Sequence, residues 1–165
     1  MVTKLPFCPH LQEDKAKIMA GKNKIHSKVL IQGPIKPEFI GASIAKHSGK
    51  TGIGAHAIFL GQVRKDSNAS GATVNEIVYS AHEAMAEKVF SEIREEAFAK
   101  FDMVCMHIYH SLGAVKTGEI SLFVFVSCKH RKASFRALEE IVEKIKLRVP
   151  IWKKEIFENG QSRWI

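Results

Sequence analysis

"EISLFVFVSCKHRKASFRALEEIVEKIKLRVPIWKKE", residues 119–155, decides the fold. From Leu122 to Val126 every residue is apolar, so a strand here needs cover on both faces and belongs in the middle of a sheet. After His130 the period changes. Ser134, Leu138, Ile141, Ile145 and Val149 recur at helical spacing and trace one stripe, which predicts a helix from about Arg131 to Val149. Pro150 stops it, because proline has no backbone N–H to continue the ladder. "IWKKEIF" then reads as a short strand, and "NGQ" turns the chain into a final "SRWI".

Upstream, "KVLIQGPI" (28–35) is a short strand that ends at Gly33-Pro34, and Pro37 opens a helix through Lys46. "IGAHAIFLGQVR" (53–64) alternates as a strand does. Ala55, Ala57, Phe59 and Val63 fall on one side; His56, Ile58, Leu60, Gln62 and Arg64 fall on the other. "KDSNASGAT" (65–73) is rich in turn formers and is expected to be a mobile loop, and "VNEIVYSA" resumes strand. Ala86, Val89, Phe90, Ile93 and Ala97 mark a helix over Glu83–Lys100. "MVCMHIYHSLG" is another strand, separated from Glu119 by a turn over Gly113–Gly118. Locally paired strands around two main helices predict an α+β domain.

The chain has 165 residues, enough for one domain with a real core, and 45% hydrophobic with 25% charged residues is ordinary globular composition. No apolar run approaches the roughly 20 residues of a bilayer span. Residues 1–26 read as a polar, lysine-rich extension without a secretory h-region, ahead of a domain over 27–165. Cys8, Cys105 and Cys128 are odd in number and form no CxxC, so neither a disulfide framework nor a zinc site is expected, and a reducing cytoplasm fits. His107 and His110 are an odd number apart in a strand and would not share a metal. Cys128, in so apolar a strand, reads as an inert small hydrophobe.

The net charge of +8 is concentrated: Lys129–Lys154 holds nine Lys/Arg (129, 131, 132, 136, 144, 146, 148, 153, 154) against three Glu (139, 140, 143). Lys146 sits at the edge of the apolar stripe, between Val142 and Val149, where it is either a surface lysine with a buried stem or a cation aimed into a cleft. Its neighbours Lys144, Arg148 and Lys153, with partial burial, are expected to lower its pKa. His130 and Arg131 stand at a helix N-terminus and are candidates for a phosphate site or simply a solvated cap. Arg64 closes a strand after Gly61, a weak signal by itself.

Four segments in order, "GAHAIFLGQVR", "YSAHEAMAEK", "HSLGAVKTGEISLFVFVSCKHR" and "KLRVPIWKKE" followed by "GQSRW", resemble the catalytic subunit family of molybdopterin synthase. The resemblance runs from about Val29 to the end of the chain. It implies an α/β-hammerhead fold with a mixed, mostly antiparallel sheet. It implies a sulfurtransferase that builds the dithiolene of molybdopterin on cyclic pyranopterin monophosphate, without metal or cofactor. Sulfur would arrive as a thiocarboxylate on the C-terminal Gly-Gly of a small ubiquitin-like subunit, and a homodimer of the large subunit would give a heterotetramer. By resemblance the functional positions are Arg64, His130, Arg131, Lys146 and Lys153, with Lys146 and Lys153 catalytic and Gln62, Val63, Lys154 and Glu155 lining the pocket. The loop 65–73 and His82, where the family has a tyrosine, depart from its pattern.

Two other readings compete. A basic nucleic-acid-binding module would interleave exposed aromatics with the cations, whereas Phe123, Phe125 and Phe135 look like core. A non-catalytic scaffold for a ubiquitin-like partner would bind without turnover.

Overall fold

The computed structural model describes residues 28–165; the expected extension over 1–26, with Cys8, lies outside the described residues. Ten elements follow one another: β1 (Leu30–Gln32), α1 (Pro37–Ala45), β2 (Ala55–Gln62), β3 (Val74–Ala81), α2 (Glu83–Lys100), β4 (Met103–Lys116), β5 (Ile120–Cys128), α3 (Arg131–Arg148), β6 (Ile151–Phe157) and β7 (Ser162–Trp164). The seven strands form one mixed sheet in the order β2-β5-β4-β3-β6-β7, with β1 parallel to β4 and every other pairing antiparallel. This is the α+β, mostly antiparallel sheet with two long helices that the sequence predicts.

β5 is central, as its double-sided apolar run requires. Leu122, Val124 and Val126 face a core shared with Ala86, Phe90 and Ile93 of α2 and Ile141 and Ile145 of α3. Phe123 and Phe125 face the other way and pack with Ile35 and with Ile40 of α1. Each such side chain contributes about 1.5–3 kcal/mol when fully buried, so β5 anchors both layers.

The turn expected over Gly113–Gly118 starts later. β4 runs unbroken to Lys116 because Gly113 takes φ +76°, bending the strand without ending it. Before the bend β4 pairs with β5; after it, Gly113–Lys116 pairs with Tyr79–Glu76 of β3. The bend divides the sheet into two halves, and a cleft lies at their junction. Loop 65–73 is also more ordered in its bonding than expected. The Asn68 side chain accepts from the Ser70 and Ala72 N–H groups at 3.0 and 2.9 Å, and Ser67 bridges to Thr73. His82 caps α2 by accepting from the Met85 N–H, a role suited to the N-cap position.

Candidate active site

A cavity of about 610 Å³ opens where the end of β2, the middles of β3 and β6 and the last turns of α3 converge. Of the residues expected in a site, Gln62, Val63, Arg64, Lys146, Lys153 and Glu155 line it. The end of β2 delivers Gln62, just past a register slip after Gly61, and Val63 and Arg64 follow directly beyond the strand. α3 delivers Lys146, whose ammonium lies 5.6 Å from the centre of the Phe59 ring, a cation–π contact at the cleft wall. β6 delivers Lys153 opposite Tyr79.

The crowded cations of residues 144–154 therefore separate. Lys144 binds Glu96 and Glu140 at 2.8 and 2.9 Å, and Arg148 binds Glu96 and Glu92 at 2.8 and 3.2 Å, tying α3 to α2. Lys146 and Lys153 have no ion-pair partner among the described residues. Desolvation first, and the Lys146 charge second, hold the Lys153 amine below the ordinary lysine range. Burial of the kind expected for Lys146 belongs instead to Lys153, since Lys146 is exposed and Lys153 is half-buried. The reason is placement: the strand sinks Lys153 into the junction of the two half-sheets, while the helix leaves Lys146 on the rim.

Both acids in the cleft are occupied. Arg64 donates to Asp66 at 2.9 Å at the exposed mouth. Glu155, 5% exposed, accepts from Nε and Nη2 of Arg163 at 3.1 and 2.7 Å. The inner wall carries residues that the sequence reading passed over. His110 donates from Nδ1 to the Ser111 carbonyl at 2.9 Å, and burial pushes its pKa down to about 4, with Lys153 adding to the shift. Its imidazole is neutral at pH 7, with Nε2 left as an acceptor. Tyr79 packs against it edge-on and donates to Ser121 Oγ at 3.0 Å; burial raises the phenol pKa. Only the pairing of β3 with the bent half of β4 brings Tyr79 and His110 together, and no local pattern announces that.

Three expected residues are elsewhere. Strand alternation puts Lys154 on the opposite face from Lys153 and Glu155, where its ammonium lies 5.8 Å from the Trp164 ring centre. His130 and Arg131 stand at the start of α3, sixteen and fifteen residues before Lys146, or about 22–24 Å along the helix axis. They do not line the cleft of their own chain. Phe135, expected in the core, is 62% exposed on that same first turn-and-a-half of α3. Cys128 is buried, and burial pushes its thiol pKa up, as an inert cysteine requires.

The sheet junction holds two lysines unpaired among the described residues, an arginine and a neutral histidine in one cleft, a charge balance that suits an anionic group. Residues 32–148 match the family model described as MoaE protein. The molybdopterin synthase catalytic subunit of Pyrococcus abyssi is 42% identical over 112 residues, covering 68% of this chain and 74% of that one. The crystal structure of molybdopterin synthase from Staphylococcus aureus superposes with a TM-score of 0.71 at 34% identity, covering 82% of this chain and 94% of that one. A complex of subunits 1 and 2 of molybdopterin-converting factor from Helicobacter pylori 26695 follows with a TM-score of 0.69 at 25% identity, covering 82% and 87%. The chain belongs to the MoaE family, and its role is that of a molybdopterin synthase catalytic subunit.

Proposed function

We propose that the cleft transfers sulfur to cyclic pyranopterin monophosphate, forming the dithiolene of molybdopterin. The carrying observation is that Lys146 and Lys153 share one cleft and neither is neutralised by a carboxylate among the described residues. A cyclic phosphate and an incoming thiocarboxylate are both anionic, and preorganised cations aimed at developing negative charge are the main means of lowering such a barrier. Lys153, partly desolvated, is the lysine suited to give and take a proton as sulfur adds to the pterin and the phosphate ring opens. Lys146 on the rim supplies charge to the opened phosphate. His110, neutral, accepts a hydrogen bond through Nε2 from the pterin edge.

The sulfur donor is a small ubiquitin-like subunit whose C-terminal Gly-Gly thiocarboxylate enters between Arg64 and Lys153. The two-subunit composition of the Helicobacter pylori complex supports a partner of this kind. The thiols of this chain then need no part in the chemistry, and Cys105 and Cys128 remain reduced in the cytoplasm. His130 and Arg131 are too far along α3 to serve their own cleft. A two-fold dimer of this chain, within a heterotetramer, brings them over the cleft of the second copy, where a helix N-terminus and two basic side chains grip the phosphate. The domain so engaged is 27–165.

The test is direct. Mixing the full chain with a thiocarboxylated small subunit and the cyclic pterin should yield molybdopterin, and Lys146→Ala should abolish the yield while small-subunit binding persists. Full turnover in that variant would sink the assignment. Binding of the small subunit with no product from the wild-type chain would leave only a scaffold.

A further inference from the structure

His47, Cys105 and His107 converge on the face of the sheet opposite the cleft. Along β4, Met106, Ile108 and His110 point to the long helices and the cleft; Cys105 and His107 point to α1. His47 enters from the turn that follows α1 and is 4% exposed. Its Nε2 lies 3.1 Å from Cys105 Sγ, Cys105 Sγ lies 3.1 Å from His107 Nε2, and the two Nε2 atoms are 3.3 Å apart. Three lone-pair-bearing atoms thus form one small triangle.

The dimensions fit a metal. Tetrahedral zinc with bonds of about 2.3 Å to sulfur and about 2.0–2.1 Å to nitrogen needs edges of about 3.5 Å between S and N and about 3.3 Å between N and N. The N···N edge already matches, and each S···N edge has to open by about 0.4 Å. The outer contacts fit as well. His47 Nδ1 donates to the Ser43 carbonyl at 2.8 Å, which holds the tautomer that leaves the Nε2 lone pair free. Metal-binding histidines are held in this way.

Without a metal the triangle is held only by weak sulfur hydrogen bonds, Cys105 donating to His47 Nε2 and accepting from a His107 that carries its proton on Nε2. The fourth position opens on a cavity of about 190 Å³ lined by Ser43, Lys46, Lys50 and Tyr109, among others. Those lysines oppose a bare cation and favour a small anion as the fourth ligand.

We propose that His47, Cys105 and His107 are the three protein ligands of a zinc-class divalent cation. Binding exchanges the thiol proton for a sulfur–metal bond and releases that proton to solvent; no redox change is involved. The metal joins α1 to β4 across 58 and 60 residues of chain. α1 otherwise rests on the sheet through a small core around Ile40, so its anchoring becomes metal-dependent.

The experiment uses the untagged full chain, freed of metal, with Co²⁺ as a spectroscopic probe and Zn²⁺ as the competitor. One equivalent of Co²⁺ per chain should bind and give a thiolate-to-cobalt charge-transfer band, which Zn²⁺ removes. Cys105→Ser should eliminate the band and weaken binding by at least about 100-fold, whereas Cys128→Ser should keep both. Saturating Zn²⁺ should raise the wild-type Tm by about 5–10 °C and leave that of Cys105→Ser unchanged. If Cys105→Ser fails to fold by near-UV circular dichroism, His107→Ala carries the same comparison. A band that survives in Cys105→Ser, or binding without any charge-transfer band, overturns the proposal, as does a failure to bind stoichiometrically. None of these readouts involves molybdopterin formation.

Discussion

Lys146 and Lys153 are coupled: the charge of the first, added to the burial of the second, holds the Lys153 amine below its ordinary range. On the function proposed above, the pair divides its labour, with a charge on the rim and a proton-exchanging amine inside. Both alanine variants should lose at least about 100-fold in single-turnover molybdopterin formation. The arginine variants should separate them. Lys146→Arg keeps the charge and should retain clear activity, while Lys153→Arg cannot shed a proton and should remain near the alanine level. Equal rescue at both positions would reduce Lys153 to electrostatics.

His110 makes stability depend on mild acid. Its folded pKa of about 4 lies below the ordinary 6.5, so between those values the unfolded chain binds more protons than the folded one. Stability is then complete above pH 6.5 and falls as the pH drops towards 4, by about 3 kcal/mol from this group. His110→Asn keeps a donor for the Ser111 carbonyl and removes the titration. Urea unfolding at several pH values should show a shallower dependence in the variant, by about one proton. An unchanged slope would mean that His110 is solvated in the folded protein.

Much of the fold was legible because its signals are local. The double-sided apolar run of β5, the stripe of α3 and the alternation of β2 each state which faces are covered, and the structure covers those faces. The cleft was legible only in part. Arg64, Lys146 and Lys153 are visible as charges, but Lys154 was grouped with Lys153 until strand alternation separated them. Tyr79 and His110 meet across a pairing that depends on the bend at Gly113. Likewise Cys105 and His107 are two apart in a strand, a spacing that puts them on one face. Their third partner, His47, is 58 residues from Cys105, so the triangle exists only in the fold. The family model ends at residue 148, and Lys153 lies beyond it on β6.

Arg163 should prove structural to the cleft although it does not line it. Glu155 is buried, and its charge is matched by the guanidinium. Arg163→Ala leaves that carboxylate in the cleft wall beside Lys153, free to pair with it. The variant should be less stable by about 1–2 kcal/mol, discounted because the arginine itself is half exposed. It should also lose turnover, since Glu155 would neutralise the Lys153 amine. Glu155→Gln in the same background should restore part of both, as removal of the orphaned charge removes the cause. If the double variant is as inactive and unstable as Arg163→Ala, the ion pair is incidental.

The separation of Arg131 from Lys146 leads to a test of the shared site. If the α3 N-terminus of one protomer serves the cleft of the other, Lys146→Ala and Arg131→Ala lie in different chains of the same site. Each homodimer then has two defective sites and should be nearly inactive. A mixed dimer places both lesions in one site and leaves the other intact. Unfolding and refolding an equal mixture gives mixed dimers in half of the population, so about a quarter of wild-type site activity should return. Light scattering would establish the dimer, and the activity of the mixture decides the geometry. No recovery, with dimers demonstrably exchanged, would mean that His130 and Arg131 do not reach across to the second cleft.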